Sequence, residues 1–577
     1  MILQSLASYY EVLREKGELA EPGWAPAGIS YGLEIGEDGQ ILRLYSLKIS
    51  EERGKKTVVL PQKMMLPAAV KRSVGIASNF LWDNGAYILG LSGKNSERAF
   101  KCFEYCREYH HKLLDGIDAP EAKALLDYFD QRDPADVTAF SESPEMLEDV
   151  LGGANLVFLF RGKYIHEYPS LHEVWTESYL DEGEGDKYPC LISGKMSVPQ
   201  RLHPAIKGVR GAQSSGASLV SFNAQAFESY DREQGMNAPT GSYGAFAYGA
   251  ALNYLLAKQN MRIGDTTVLF WAESGEKAYE DVMSMFAFGE DEDRYSEADL
   301  SGMMESLVKG NAVRYEDTLL DPDMNFFILG LAPNAARLSV RFFLRNTFGE
   351  FVKNVNEHHR RAEIVRPAFD KFDTVPLWIM LNETVNQNAR DKTPVPGMAG
   401  QTLSAVLNNT AYPATLINGV EMRIRADRTV NRARAAIIKA YYLQNKHPDV
   451  PEEVLRVALN KESTNLPYNL GRLFSLLETI QDAANPGINT TITDRYFSSA
   501  SATPAVVFPT LINLAKKHMK KLSPAQGVYY EKQLTELMGK MDTDHYPTHL
   551  TLQQQGAFQL GYYHQTQARY EKKEEKE

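Results

Sequence analysis

Cysteine is scarce. The 577 residues carry three, Cys102, Cys106 and Cys190. That number excludes a disulfide framework, and no Cys or His stands at zinc-ligand spacing from Cys102 and Cys106. They read as free thiols of a protein in a reducing cytosol. Long hydrophobic runs are lacking too: no stretch approaches ~18 apolar residues, which excludes a transmembrane helix. The N-terminus has no basic leader, and Glu11, Arg14, Glu15 and Lys16 interrupt it at helical spacing, so it reads as an amphipathic helix rather than a signal peptide. Catalytic signatures are missing. Gly93-Lys94 and Gly194-Lys195 have Ile88 and Pro189 where a phosphate-binding loop needs its first glycine. There is no HExxH and no G-x-S-x-G. His110-His111 and His358-His359 are adjacent pairs, which on a helix point about 100° apart and share a metal poorly. His203, before Pro204, is the histidine to watch. Nothing in the sequence calls for a cofactor.

Excess positive charge is also absent. Against 74 Asp+Glu stand 62 Lys+Arg, a net −12. A uniformly basic nucleic-acid binder is excluded; a local basic surface is not, because binding follows local potential. The charge is uneven. Residues 421–577 hold 21 basic and 17 acidic groups, leaving 41 and 57 in the first 420. Two windows within the acidic part have no carboxylate. One is 188–227, with Lys195, Arg201, Lys207 and Arg210; the other is 324–349, with Arg337, Arg341 and Arg345. A polyanion finds its footing in such windows. For the second, apolar strands that exclude carboxylates are an equal explanation.

The 44% hydrophobic and 10% aromatic content is that of a globular chain. The first part mixes signals. Residues 30–49 alternate as strands around Glu37-Asp38-Gly39, 95–114 reads as a helix, and 264–272 and 325–331 read as buried strands. Residues 181–187 and 289–299 are acidic loops. From about Pro376 strand runs disappear and helical periods follow one another. The fold class is therefore α+β: a mixed α/β region over 1–375, then an all-α helical bundle over 376–577, with a boundary near 365–400. Within the bundle, Arg425, Arg428, Arg432 and Lys439 fall in a sector of about 60° on a single helix, opposite Val430, Ala433, Ile437 and Tyr441. This predicts a basic stripe, unless it is simply a solvated face. Arg423 and Arg434 fit neither side.

Two segments have an unusual residue mix. RSVGIASNFLWDNGAYILG, residues 72–90, follows Lys71 and starts at Arg72. It sets Asn79, Trp82 and Asn84 among small residues. Asn amides pair with adenine edges and an aromatic can wedge or stack; the alternative is a turn at Asp83-Asn84-Gly85 with Trp82 in the core. HPAIKGVRGAQSSGASLVSFN, residues 203–223, combines Lys207 and Arg210 with glycines, serines including Ser214 and Ser215, and the amides Gln213 and Asn223. That is the composition of a phosphate- or groove-contacting loop; the alternative is a flexible linker.

These segments resemble the large subunits of the type I-C CRISPR surveillance complex (Cascade). MILQSLASYYEVL, NFLWDNGAYILGL, LHPAIKGVRGAQSSGASLVSFNAQAFESYDREQGMNAP, ILGLAPNAARLSVRFF and LGRLFSLLETIQ occur in that family's order and span nearly the whole chain. The resemblance implies a non-catalytic, cytoplasmic subunit that reads the protospacer-adjacent motif (PAM) in double-stranded DNA and helps open the duplex. A helicase-nuclease is then recruited. Its implied partners are crRNA, backbone subunits, the subunit capping the 5′ handle and small subunits. It also implies that 457–577 resembles a small subunit translated from inside the gene: Val457 allows a GUG start, and Glu462-Ser463-Thr464-Asn465 opens a fresh helix. Base pairing reads sequence, so the protein needs one basic groove and no catalytic site. The DNA-contacting candidates are Lys71, Arg72, Asn79, Trp82, Asn84, Lys207, Arg210, Gln213, Ser214, Ser215, Asn223, Arg337, Arg341, Arg425, Arg428 and Arg432. Rival readings are a DNA-acting nuclease or nucleotide-dependent enzyme, and a scaffold without DNA contact.

Overall fold

A computed structural model describes residues 1–53, 56–70, 75–134, 136–140, 144–180, 185–259, 261–289, 297–370, 372–390, 392–541 and 546–570. The chain forms two compact units. One comprises Met1–Ala205 and Val220–Leu252, the other Ile206–Leu219 and Asn253–Glu577.

The first unit opens with helix Ile2–Glu15. Leu6, Tyr9, Tyr10 and Leu13 recur at spacings of three and four, so they share one buried face. A five-stranded sheet runs in the order Ile41–Ser46, Tyr31–Ile35, Asn155–Phe160, Trp82–Asn84, with Lys163–Tyr164 also on Asn155–Phe160. Tyr31–Ile35 and Asn155–Phe160 are parallel, and their connection includes helices Ser96–Leu114 and Pro120–Gln131. The first of these starts as its sequence directs: Asn95 accepts the Arg98 N–H at 2.9 Å. Phe103, Leu125, Phe129 and Phe158 meet in the core beneath.

In the second unit the sheet order is Ala205–Ile206, Ala217–Ser218, Arg337–Thr347, Asn325–Asn334, Thr266–Ala272, Arg262–Ile263. Thr266–Ala272 is buried at every position, which explains its unbroken apolar and β-branched run. The hairpin 325–347 keeps antiparallel register except for a shift at Gly330/Leu331. Phe342 lies over Gly330, where a Cβ would come within 2.5 Å of its ring.

After Thr347 the described residues are helical or irregular, with one isolated bridge between His447 and Val450. The α+β class holds; the last described strand ends at Thr347, ahead of the boundary expected near 365–400. The compact unit nevertheless runs through that point, because helices Phe348–Ala362 and Met398–Leu407 pack against the sheet and against later helices in one continuous core. Its centre is helix Leu466–Ala484, started by Asn465 accepting the Tyr468 N–H at 3.0 Å. No helix among the described residues is long and apolar enough to cross a membrane.

The single helix expected to carry Arg425, Arg428, Arg432 and Lys439 is two helices, Ala414–Asp427 and Arg432–Asn445. Arg428 ends the first in the left-handed region, φ 57, and Asn431 caps the second through the Arg434 N–H at 2.9 Å. Four residues of non-helical backbone destroy the angular register on which a common stripe depends.

Candidate nucleic-acid interface

The segment 203–223 is a braced loop rather than a linker. His203 anchors its start: Nδ1 lies 2.7 Å from the Tyr248 hydroxyl, and burial lowers its pKa to about 4. The histidine is thus a neutral strut. Beyond it, the Lys207 N–H donates to Asn253 Oδ1 at 2.8 Å, and Ile206, Val209 and Ala217 are buried. Two tight turns follow, Ala212 N–H to the Val209 carbonyl at 3.1 Å and Gly216 N–H to the Gln213 carbonyl at 2.9 Å. Gly211 has φ 84 and sits against Pro333, leaving no room for a side chain without strain. Apolar residues point inward, so the remainder point out: Lys207, Arg210, Gln213, Ser214 and Ser215 are all exposed. Neither Lys207 nor Arg210 forms an ion pair among the described residues.

The loop closes onto the hairpin of the second acid-free window. The Ser218 N–H donates to the Ala336 carbonyl at 2.9 Å, and Ser218 stands in parallel register with Arg337. Two windows far apart in sequence thus meet on one edge of the sheet. Asn253 and Pro333, which position the loop, carried no sequence signal, because their role depends on this meeting.

The other candidates are placed differently. Asn223 is exposed in the first unit. Arg341 is exposed but held by Asp265 at 2.7 Å, so its charge is largely neutralised, contrary to the reading of that window as free positive charge. Lys71 and Arg72 lie outside the described residues. Asn79 is 4% exposed; its Oδ1 accepts the Val70 N–H and its own N–H donates to Asp83, both at 3.0 Å. Trp82 is 5% exposed, and its Nε1 donates to the Pro67 carbonyl at 2.7 Å. Both side chains are enclosed by protein rather than presented to solvent, which corrects the picture of a stacking loop. Their segment forms a strand and the turn before it, and the buried amide and indole groups satisfy nearby backbone groups. Asn84 is half-buried and caps helix Gly85–Ile88 through the Ala86 N–H at 3.0 Å.

Among the C-terminal arginines, Arg425 is exposed and donates to Gln555 at 3.0 Å, while Arg428 reaches the Asp494 carbonyl. Arg432 is the clearest correction. It is 7% exposed, pairs with Asp370 at 3.0 Å and donates to the carbonyls of Phe372 and Asp373. Arg434 is equally enclosed, between Glu383 and Asp427 at 2.6 Å each. Acids from other elements consume these cations. The basic edge that remains exposed is Lys516, Lys517, Lys520 and Lys521, at the end of helix Pro504–Met519.

A model of the CRISPR-associated Csd1 protein family matches residues 6–570. No curated protein matches the chain. The family match covers the loop, the hairpin and the helical region together, in agreement with the resemblance to Cascade large subunits, and the chain belongs to the Csd1 family of CRISPR-associated proteins.

Proposed function

We propose that this Cascade large subunit is a non-catalytic, DNA-engaging component of a crRNA-guided type I-C complex. In this reading it recognises the PAM in duplex DNA, helps open the duplex and supports recruitment of a helicase-nuclease in antiviral defence. The observation that carries the reading is the joining of the two acid-free windows at Ser218 and Arg337, with Lys207 and Arg210 exposed and unpaired beside them. Free guanidinium and ammonium groups on a rigid loop, flanked by neutral hydroxyl and amide donors, suit phosphate contacts with adjacent base-edge contacts. The exposed Lys516–Lys521 edge offers a second track for a strand.

The test is salt-dependent target binding by the assembled complex. Lys207→Ala with Arg210→Ala should weaken binding to every target sequence and reduce the slope of log affinity against log salt by about one per lost phosphate contact. An unchanged slope would overturn the duplex-contact role and favour a scaffold. Degradation of DNA by the purified subunit with a divalent metal alone would overturn the non-catalytic role.

A further inference from the structure

A cavity of about 310 Å3 lies in the second unit, beside the starts of helices Ala414–Asp427 and Leu552–Gln567 and the end of helix Arg432–Asn445. Pockets for small ligands begin at about this volume, roughly 300 Å3. Asn418, Glu421, Tyr441, Lys446, His447 and Gln553 are among its walls. Neither helix start has an acidic residue in its first turn; the first has no side-chain cap, while at the second Thr551 and Gln554 form a capping box and the Thr551 hydroxyl donates to Asp449 at 3.0 Å.

Lys446 is the informative residue. Its backbone has φ 48 and ψ 132, a region that glycine occupies freely and side-chain-bearing residues rarely adopt. A lysine one residue earlier would complement the helix dipole equally well without that strain. Keeping it here sets an exposed lysine in the cavity wall, and no carboxylate pairs with it among the described residues. Beside it, His447 Nδ1 accepts the Asp449 N–H at 3.2 Å, which leaves Nε2 as the donor of the neutral ring. Glu421 differs in character. Its Oε2 accepts from Gln559 Nε2 at 2.7 Å, while Oε1 is buried with no partner. Tyr441 adds an aromatic surface. Cation and donors fit a phosphate; the carboxyl group, amides and ring fit a nucleobase.

We propose that this cavity binds one nucleoside monophosphate unit, with the phosphate at Lys446 and His447 and the base at Tyr441 and Glu421. Two sources supply that chemistry, a free nucleotide and a nucleotide everted from a bound single strand. The site stands apart from duplex recognition, because binding needs neither the assembled complex nor target DNA.

The experiment is calorimetric titration of the intact protein with the adenosine, guanosine, cytidine and uridine monophosphates, against inorganic phosphate and the four nucleosides. At least one monophosphate should bind at least tenfold more tightly than phosphate and than its own nucleoside. Lys446→Gly, which relieves the backbone, should weaken that binding at least tenfold with an unchanged melting profile. Lys446→Asn, also tolerant of positive φ, repeats the test. A single-stranded oligonucleotide carrying 2-aminopurine separates the sources. A fluorescence rise on binding that the monophosphate competes away identifies an everted nucleotide, and binding of the monophosphate without that effect identifies a free one. No monophosphate binding, binding matched by inorganic phosphate, or binding unchanged in both Lys446 variants overturns the site.

Discussion

Ser218 and Arg337 stand side by side in parallel register, and through them a loop of one acid-free window becomes a strand beside the hairpin of the other. Lack of carboxylates in a window does not by itself make a cation available. Arg341 lies on the same hairpin as Arg337, four residues on, yet Asp265 reaches it from the start of a neighbouring strand. Arg210 has no such partner among the described residues. The expected outcome is therefore asymmetric. Arg210→Ala should lower the salt slope of target binding by about one, whereas Arg341→Ala should leave it nearly unchanged. Equal slopes for the two variants would show that the ion pair opens on binding.

Much of the local structure was legible because it is written in local chemistry. Asn95 and Asn465 announce their helices by capping the N–H groups three residues on. The run 266–272 announces a strand by its β-branched and aromatic content. What sequence could not give was the fate of charges whose partners are distant. Arg432 meets Asp370 and Arg434 meets Glu383, each across more than fifty residues, and no helical wheel contains those acids. Asn431 splits the expected stripe by capping the second helix, and an angular pattern that spans the break does not detect it. Burial of Asn79 and Trp82 likewise follows from tertiary packing, which residue type alone leaves open.

Gln213 and the asparagines of the first unit separate under substitution. Gln213 is exposed on the braced loop, so Gln213→Ala should relax preference at one PAM position by about 1–3 kcal/mol with unchanged stability. Asn79→Ala should do the opposite. It removes the partner of the partly buried Val70 N–H, lowering stability by about 1–3 kcal/mol while binding ratios across PAM variants stay at wild-type values. Asn84→Ala should cost about 1 kcal/mol through loss of its cap. Binding to a panel of PAM variants, alongside denaturant melts, checks all three. A changed PAM ratio in Asn79→Ala would show that this segment rearranges on DNA.

Stability should pass through a maximum between about pH 6 and 7. Burial lowers the pKa of His110, His166 and His564 to about 4. His110 illustrates why: its Nε2 accepts the Leu81 N–H at 3.0 Å and its Nδ1 lies 2.7 Å from the Cys106 carbonyl, so only the neutral ring fits. The unfolded chain binds protons first, near 6.5. Stability from these groups is whole above that pH and is lost as pH falls through 4, by about 3 kcal/mol for each group. Glu421 has the reverse sign. Burial raises its pKa to about 7, so the folded chain holds the proton more tightly; its contribution is present below about 4.5 and is lost as pH rises through 7. Denaturation midpoints across pH 4–8 test this. In Glu421→Gln the decline from about pH 6 to 7.5 should disappear while the acid limb persists. A constant difference from wild type across that range would remove Glu421 as its source.

The last expectation is that residues 457–577 fold as an independent bundle, as a small subunit made by internal initiation requires. Val457 lies in irregular backbone between Glu452–Val454 and Leu466–Ala484, so a chain beginning there interrupts no helix. The fragment's first and last helices, Leu466–Ala484 and Leu552–Gln567, are also in intimate contact. A Cβ at Gly471 would lie 1.9 Å from the Phe558 carbonyl oxygen, and one at Gly561 would lie 2.0 Å from that of Tyr468. Backbone meets backbone at both points, which closes the bundle end to end within 457–577. Among the contacts that the fragment would forgo are the Val457 carbonyl with the Val365 N–H, the Tyr563 hydroxyl with the Val365 carbonyl, Gln559 with Glu421, Gln555 with Arg425, the Asp494 carbonyl with Arg428, and the packing of Gly556 against Tyr442 and Ile438. The polar bonds are worth about 1 kcal/mol each, and the fragment keeps a core holding Leu473, Phe474, Phe497, Phe508 and Phe558. The fragment should therefore express as a soluble helical species with a cooperative melt, and Gly471→Leu should abolish that melt by forcing the two helices apart. In cells, a synonymous codon at Val457 that removes GUG should eliminate a short product of this size. A fragment that does not fold would rule out autonomy, and a short product that survives the codon change would rule out initiation at Val457.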